Sequence, residues 1–147
     1  MSPKPLPRGE AGYSGTPLPK KLGIKAGSRV ALIGAPVGFE RTLGPLPDEA
    51  TVRRSARGIA QVVLLFAPSA RDLARRFPGA ARAMGQPGAL WVAWPKKASG
   101  VVTDLAEGQV RDFGLAAGLV DYKIAAIDAT WSGLCFARRK AKTKTKR

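Results

Sequence analysis

The chain has 147 residues, 45% hydrophobic and 24% charged, with no histidine, one cysteine and a formal charge of +15. That length supports one domain with a real core. The composition excludes histidine-based catalysis or metal binding, an intramolecular disulfide and a cysteine-cluster zinc site. The charge is uneven: residues 1–25 carry +4, residues 138–147 carry +7, and the body between them only +4.

In chain order, residues 1–25 (MSPKPLPRGEAGYSGTPLPKKLGIK) are rich in Pro and Gly and predict an extended arm that lies on the body or stays mobile. They lack the apolar core of a secretory signal. No apolar run in the chain is long enough to span a bilayer. The expectation is a cytoplasmic protein with no membrane partner.

The body is expected over residues 26–138. Arg29 to Ala35 (RVALIGA) is an unbroken apolar run, the pattern of a strand covered on both faces. Residues 36–47 have room for one helical turn before two prolines, and TVRRSARG is a short edge strand. Ile59 to Ala67 is a second buried strand. Ser69 and Asp72 stand at capping-box spacing and open a helix. Its stripe runs through Leu73, Phe77, Ala81 and Met84, Gly85 closes it, and Pro78 bends or splits it. Gly88 to Trp94 is a third buried strand. Thr103 caps a helix running to Ala117, although Gly108 and Gly114 lower its helix propensity. Val120 to Asp128 and Gly133 to Arg138 form a hairpin across ATWS. The fold class is therefore α/β: a small three-layer, mostly parallel sheet of reduced Rossmann type ending in an antiparallel β-hairpin. Residues 139–147 are like-charged and low in complexity, which predicts a disordered basic tail.

Ligands of open parallel sheets bind outside the carboxyl ends of the strands. Three loops leave such ends: APVGFE, WPKKASG and, if the Val120 strand is parallel, DATWSG. They supply Pro36 and Gly38; Trp94, Lys96, Lys97 and Ser99; and Asp128, Thr130, Trp131 and Ser132. An ammonium of Lys96 or Lys97, a hydroxyl and backbone N–H groups suit an anion. Each also has a plain structural reading: the lysines as a solvated pair, Trp131 as packing over the sheet edge. Trp91 and Trp94, three apart, fall on opposite faces of the sheet, and at least one is core. Cys135 is expected to be a buried small hydrophobe. GAPVG is not a GxGxxG turn, because Pro36 stands where close backbone approach is needed.

GYSGTPLPKKLGI, LWVAWPKKASG and TWSGL together resemble a bacterial domain-of-unknown-function family of small proteins, over about residues 12–138. The resemblance implies that these loops belong together and carries no activity. In layout the second half is more distantly similar to class I S-adenosylmethionine-dependent methyltransferases, in which a strand like GALWVAW is followed by a helix and a terminal hairpin. This similarity implies a methyltransferase-like fold. Two of that group's features are absent: the glycine motif with its preceding acidic residue, and the acidic residue that holds the ribose after the second strand. The chain is also short for a seven-stranded sheet. A degenerate cofactor site and no cofactor are the expectation.

Three functions follow in order. The first is binding of an anionic small molecule or protein segment at the sheet edge. The second is a nucleic-acid-associated accessory protein whose tail (Arg138, Arg139, Lys140, Lys142, Lys144, Lys146 and Arg147) holds phosphates non-specifically. The third is an active S-adenosylmethionine-dependent methyltransferase. No catalytic residue is assigned.

Overall fold

Unbroken apolar strands need cover on both faces, and the chain provides it with two helical layers around one sheet. The computed structural model describes residues 15–139. The first part of the expected arm and the expected tail from Lys140 to Arg147 lie outside the described residues. The elements are α1 (Leu18–Lys21), β1 (Arg29–Ile33), α2 (Phe39–Leu43), β2 (Thr51–Arg53), β3 (Ala60–Phe66), α3 (Ala70–Ala83), β4 (Met84–Pro95), α4 (Glu107–Ala116), β5 (Leu119–Ala126) and β6 (Trp131–Arg138). A 3-10 turn spans Lys97–Ser99.

The six strands lie in the order β2-β1-β3-β4-β6-β5. The first four are parallel, and β6 runs antiparallel to both β4 and β5. The expected hairpin is present, but its second strand inserts between β4 and β5. Consequently β5 points the same way as β4, and the turn between β5 and β6 lies at the carboxyl edge of the parallel strands.

Alternation divides the core in two. On one face Val63, Leu65, Leu90, Val92, Leu134 and Phe136 pack under Leu73, Phe77, Ala80 and Ala83 of α3 and Val110 of α4. On the other, Val62, Leu64, Phe66, Trp91, Ala93 and Cys135 lie under Phe39 and Leu43 of α2 and under Leu22 and Ile24. Trp91 and Trp94 do face opposite ways. The Trp91 Nε1–H donates to the Leu22 carbonyl at 3.1 Å, which satisfies the polar end of a fully buried ring. Leu22 and Ile24 are 2% and 4% exposed, so the end of the expected arm lies on the body, the first of its two expected states. The reason is geometric: α2 is a single short turn, and the segment after α1 fills the rest of its layer.

Two helix ends differ from expectation. Ser69 caps α3 as predicted, its Oγ accepting from the Asp72 N–H at 3.1 Å. The helix then passes through Pro78 without splitting and ends at Ala83. Gly85 does not close it; Met84 and Gly85 already lie in β4. A Cβ on Gly85 would come within 2.9 Å of the Ile59 side chain, so this glycine serves close packing. The second difference is α4, which starts at Glu107. Thr103 Oγ1 instead accepts from the Leu105 N–H in the preceding turn. The cap position is Ala106, which has no acceptor of its own; its N–H donates to Gln109 Oε1 at 2.8 Å.

Cys135 is buried, 1% exposed. Burial pushes its thiol up to about 11, with a smaller opposing effect from the Tyr122 hydroxyl. The native protein should therefore resist iodoacetamide at neutral pH and label fully in urea. Because the folded value is raised, stability drawn from the neutral thiol is complete below the ordinary thiol range and is lost as pH rises through about 11. Rapid alkylation of the native chain, followed by mass spectrometry, would show that β6 opens locally.

Candidate functional site

The three expected loops share the carboxyl edge of the sheet, and the groove described below takes its lining from the loop after β4 and from Ser132. The β5–β6 turn is organised by Asp128, whose Oδ1 accepts from the N–H groups of Thr130 at 2.8 Å and Trp131 at 2.9 Å. This carboxylate folds the turn. The Thr130 carbonyl accepts from the Lys96 N–H at 2.7 Å, joining the turn to the loop after β4. In that loop Ser99 Oγ donates to the Lys96 carbonyl at 2.6 Å and accepts from the Val101 N–H at 3.1 Å. Ser99 is thus occupied in shaping the 3-10 turn.

Trp131 lies on the α1/α2 face. Its ring meets Phe66 edge-on, with centroids 5.0 Å apart at 89°, and Phe66 meets Phe39 at 4.9 Å and 70°. This aromatic row ties the β5–β6 turn to the loop after β1. The packing reading of Trp131 is the one these contacts describe.

On the other face a groove of about 550 Å³ opens at the end of β4. Trp94, 6% exposed, forms its floor with Ser132, its partner across β4 and β6. Lys96, Lys97, Val101, Val102, Thr103 and Leu105 also line it. Four expected residues therefore meet here: Trp94, Lys96, Lys97 and Ser132. Pro36, Gly38, Ser99, Asp128, Thr130 and Trp131 do not line the groove. Sequence alone does not mark residues 101–107 as a wall, because a cap at Thr103 would place most of them in a helix. Their one sequence signal is the pair Val101-Val102 beside Gly100, two adjacent β-branched apolar residues in a connection between elements.

The charge of the groove is positive. Glu107 also lines it, but its carboxylate is bridged by Arg111 at 2.7 Å, which also holds Asp121 at 2.9 Å. Those hydrogen bonds raise the already high proton affinity of Arg111. Lys96 and Lys97 are the cationic residues that line it. Among the described residues no cluster of three or more His, Cys, Asp or Glu is placed to hold a metal ion. Of the two basic-tail residues that are described, Arg138 is tied to the body, its Nη2 donating to the carbonyls of Ala81 at 3.0 Å and Met84 at 2.9 Å. Arg139 is exposed.

Similarity to methyltransferases implies S-adenosylmethionine at the turn after β1, and the residues there do not fit it. β2 ends in Arg53 and is followed by Arg54, where a carboxylate is wanted for the ribose. Arg54 donates to the carbonyls of Ala35 at 3.0 Å and Pro36 at 2.8 Å and pairs with both oxygens of Glu40 at 2.7 and 2.9 Å. The guanidinium holds the Glu40 carboxyl down at about 2. From the other side, a Cβ on Gly34 would fall 2.2 Å from Nη1 of Arg76. The same nitrogen donates to the Phe66 carbonyl at 2.6 Å. A guanidinium thus fills the space beside the turn, and Pro36 offers no N–H there.

No protein-family model matches the chain, and no curated protein matches it. Solved structures do. The pyocyanin biosynthetic protein PhzM is similar with a TM-score of 0.54 at 12% identity, over 83% of this chain and 53% of PhzM. The chain thus spans about half the length of PhzM. Magnesium protoporphyrin IX methyltransferase (ChlM) from Synechocystis, with SAH bound, is similar with a TM-score of 0.51 at 11% identity, over 78% of this chain and 75% of ChlM. DhpI in complex with SAH reaches 0.52 at 8% identity, over 78% of this chain and 77% of DhpI. At such identities the likeness concerns the fold alone. The six-stranded sheet, parallel through β4 and antiparallel at β6, is a methyltransferase-like Rossmann fold.

Proposed function

We propose that this protein is a binding protein on a methyltransferase-like fold, taking an anionic small molecule or protein segment in the groove at the end of β4. The observation that carries this reading is the pair Lys96 and Lys97 beside the Trp94 floor, in a groove whose own carboxylate, Glu107, is already bridged. An apolar floor with a few placed cations is the ordinary build of a small-ligand site. The arginines at the turn after β1 support a binding role over methyl transfer.

The test is a titration with naphthalene sulfonate, an apolar ring carrying one negative charge, read by calorimetry. Replacing Lys96 and Lys97 together by Ala should weaken binding by about tenfold or more, the factor equivalent to 1.4 kcal/mol. The melting temperature should fall by no more than a few degrees, because Lys97 is exposed and Lys96 only partly buried, and surface lysines contribute little to folding. Equal affinity in the double variant would leave WPKKASG as a strand end with two solvated lysines. Tight stoichiometric binding of S-adenosylmethionine in the same calorimeter would instead promote methyl transfer.

A further inference from the structure

The positive charge of the folded part gathers on α3 and the segment beside it. Residues 50–103 hold nine basic residues and one acidic residue, Asp72. The exposed residues of α3 are Ala70, Arg71, Ala74, Arg75, Pro78 and Arg82. At 3.6 residues per turn, positions 71, 75, 78 and 82 fall within about 60° of one another, and the stripe they form is about 16 Å long. Three of its four side chains are arginines.

Distant parts of the chain extend the stripe at its carboxyl end. The segment joining β2 to β3 is braced by Arg53, whose Nε donates to the Ser55 carbonyl at 3.1 Å and whose Nη2 donates to the Gly58 carbonyl at 2.9 Å. A Cβ on Gly79 would lie 3.8 Å from both the Ala56 Cβ and Nη2 of Arg82. The braced segment and the Arg82 guanidinium therefore flank the same turn of the helix, and exposed Arg57 follows Ala56 directly. Arg138, also exposed, is fixed at the helix end through the Ala81 and Met84 carbonyls. The basic sequence 139–147 continues from that point. Arg75 pairs with Asp72, whereas the ion pairs among the described residues do not include Arg57, Arg71, Arg82 or Arg138. Asp72 and Asp104 both serve the first turn of α3, so the charge is least compensated towards the carboxyl end.

A small anion is ordinarily taken in a concave site, whereas separated guanidiniums along a convex helix match charge that repeats along a polymer. Phosphates of one nucleic-acid strand follow one another at a rise of about 3.4 Å, so a row of about 16 Å meets several of them. Guanidiniums suit phosphate oxygens in geometry as well as charge, and the short Ala70, Ala74 and Pro78 between them let a backbone come close. A lipid surface takes up large apolar side chains beside the charges, and α3 exposes none. We propose that α3 is an interface for the backbone of a nucleic acid: Arg71, Arg75 and Arg82 along the helix, with Arg57 and Arg138 at its carboxyl end, meet successive phosphates without reading bases. This surface shares no residue with the groove at the end of β4 and does not depend on it.

The test titrates the full chain into two fluorescein-labelled probes of mixed sequence, a DNA duplex and a single-stranded RNA, over a series of salt concentrations. One variant replaces Arg57, Arg71 and Arg82 by Gln. A second removes the same charge from the other side of the sheet, with Lys20, Lys25 and Arg41 replaced by Gln; all six side chains are exposed. Both variants keep residues 138–147, so any contribution of the tail is common to them. The α3 variant should lose about tenfold or more in affinity, and its salt dependence should fall by about one unit of slope for each arginine removed. The control variant should stay within about threefold of the parent, since its charges lie away from the contacted phosphates. Replacing the same three arginines by Lys should hold affinity within about threefold, because this binding rests on charge; it also separates lost charge from any loss of fold, which melting temperatures check. Equal weakening in both triple variants, or an α3 variant that binds like the parent, overturns the inference. So does a parent that binds neither probe, including one that binds only vesicles of anionic lipid.

Discussion

Replacing Phe66 by Ala is expected to lower folding stability by about 3–5 kcal/mol, the range for truncating a buried aromatic. Phe66 is fully buried at the end of β3. Its ring is the middle of a row, edge-on to Phe39, which opens α2 after the β1 loop, and to Trp131, which opens β6 after the β5–β6 turn. Such pairs add about 0.5–1.5 kcal/mol each beyond area burial, so both loops lose their common anchor at once. Urea denaturation gives the stability, and tryptophan emission gives the location. Trp131 is half-buried, and its emission should shift to the red in the folded variant as the ring gains water. A loss below about 1 kcal/mol would be incompatible with a packed row, since truncating a packed Phe to Ala costs about 3–5 kcal/mol. The groove lies on the opposite face, so a well-folded Phe66→Leu protein should bind naphthalene sulfonate like the parent.

Gly114→Ala has a sign that separates local from tertiary control. Helix propensity alone predicts a gain of about 1 kcal/mol, because Gly is among the poorest helix formers and Ala the best. The structure predicts a loss. A Cβ at Gly114 would lie 2.1 Å from the Phe136 ring, and Phe136 is 0% exposed in β6. Phe136 is enclosed by the core beneath α3 and α4, so α4 must lift from the sheet. Overpacking of this kind costs about 1–3 kcal/mol, occasionally more. Gly108 is the control: it stands in the same helix, and a Cβ there would meet nothing within 4 Å. Gly108→Ala should therefore stabilise by up to about 1 kcal/mol. Thermal and urea unfolding of the pair would decide the matter, and a stabilised Gly114→Ala protein would show that α4 does not approach β6 this closely.

The same two glycines mark the limit of local information. Both lower the propensity of α4, and nothing in their neighbours says that one serves close packing and the other does not. Thr103 is a similar case. It is a good capping residue, yet its hydroxyl accepts from Leu105 while the helix begins three residues beyond the position a Thr103 cap implies. What decides this is the loop after β4, whose valines and Leu105 must wall the groove before the chain turns into α4. Local hydrogen-bonding capacity offers Thr103 two equal uses, and tertiary packing selects one.

The candidate site was legible in outline for a different reason. Parallel strands all present their carboxyl ends to one edge, so the loops that follow them share that edge whatever their sequence. That places the residues after Ile33 and Pro95 together, and those after Ala126 join them once β6 enters between β4 and β5. It does not say which side of the sheet each loop turns to. Trp131 pairs with Pro95 and faces α1 and α2, whereas Ser132, one residue later, pairs with Trp94 and faces the groove.

By itself the sequence determined which segments become strands and on which faces their side chains fall. Apolar runs without alternation must be covered twice, and neighbours along a strand must point apart. It determined the cap of α3 as well, because Ser69 and Asp72 interact within one turn. Only the tertiary structure decided that β6 enters between β4 and β5, that Leu22 and Ile24 complete a core layer, and that Lys21 reaches the Ala126 carbonyl. A strand's pattern records how much cover it needs and not which strand supplies its hydrogen bonds. Those partners are settled by burial summed over the whole sheet, a quantity that no single stretch of the chain contains.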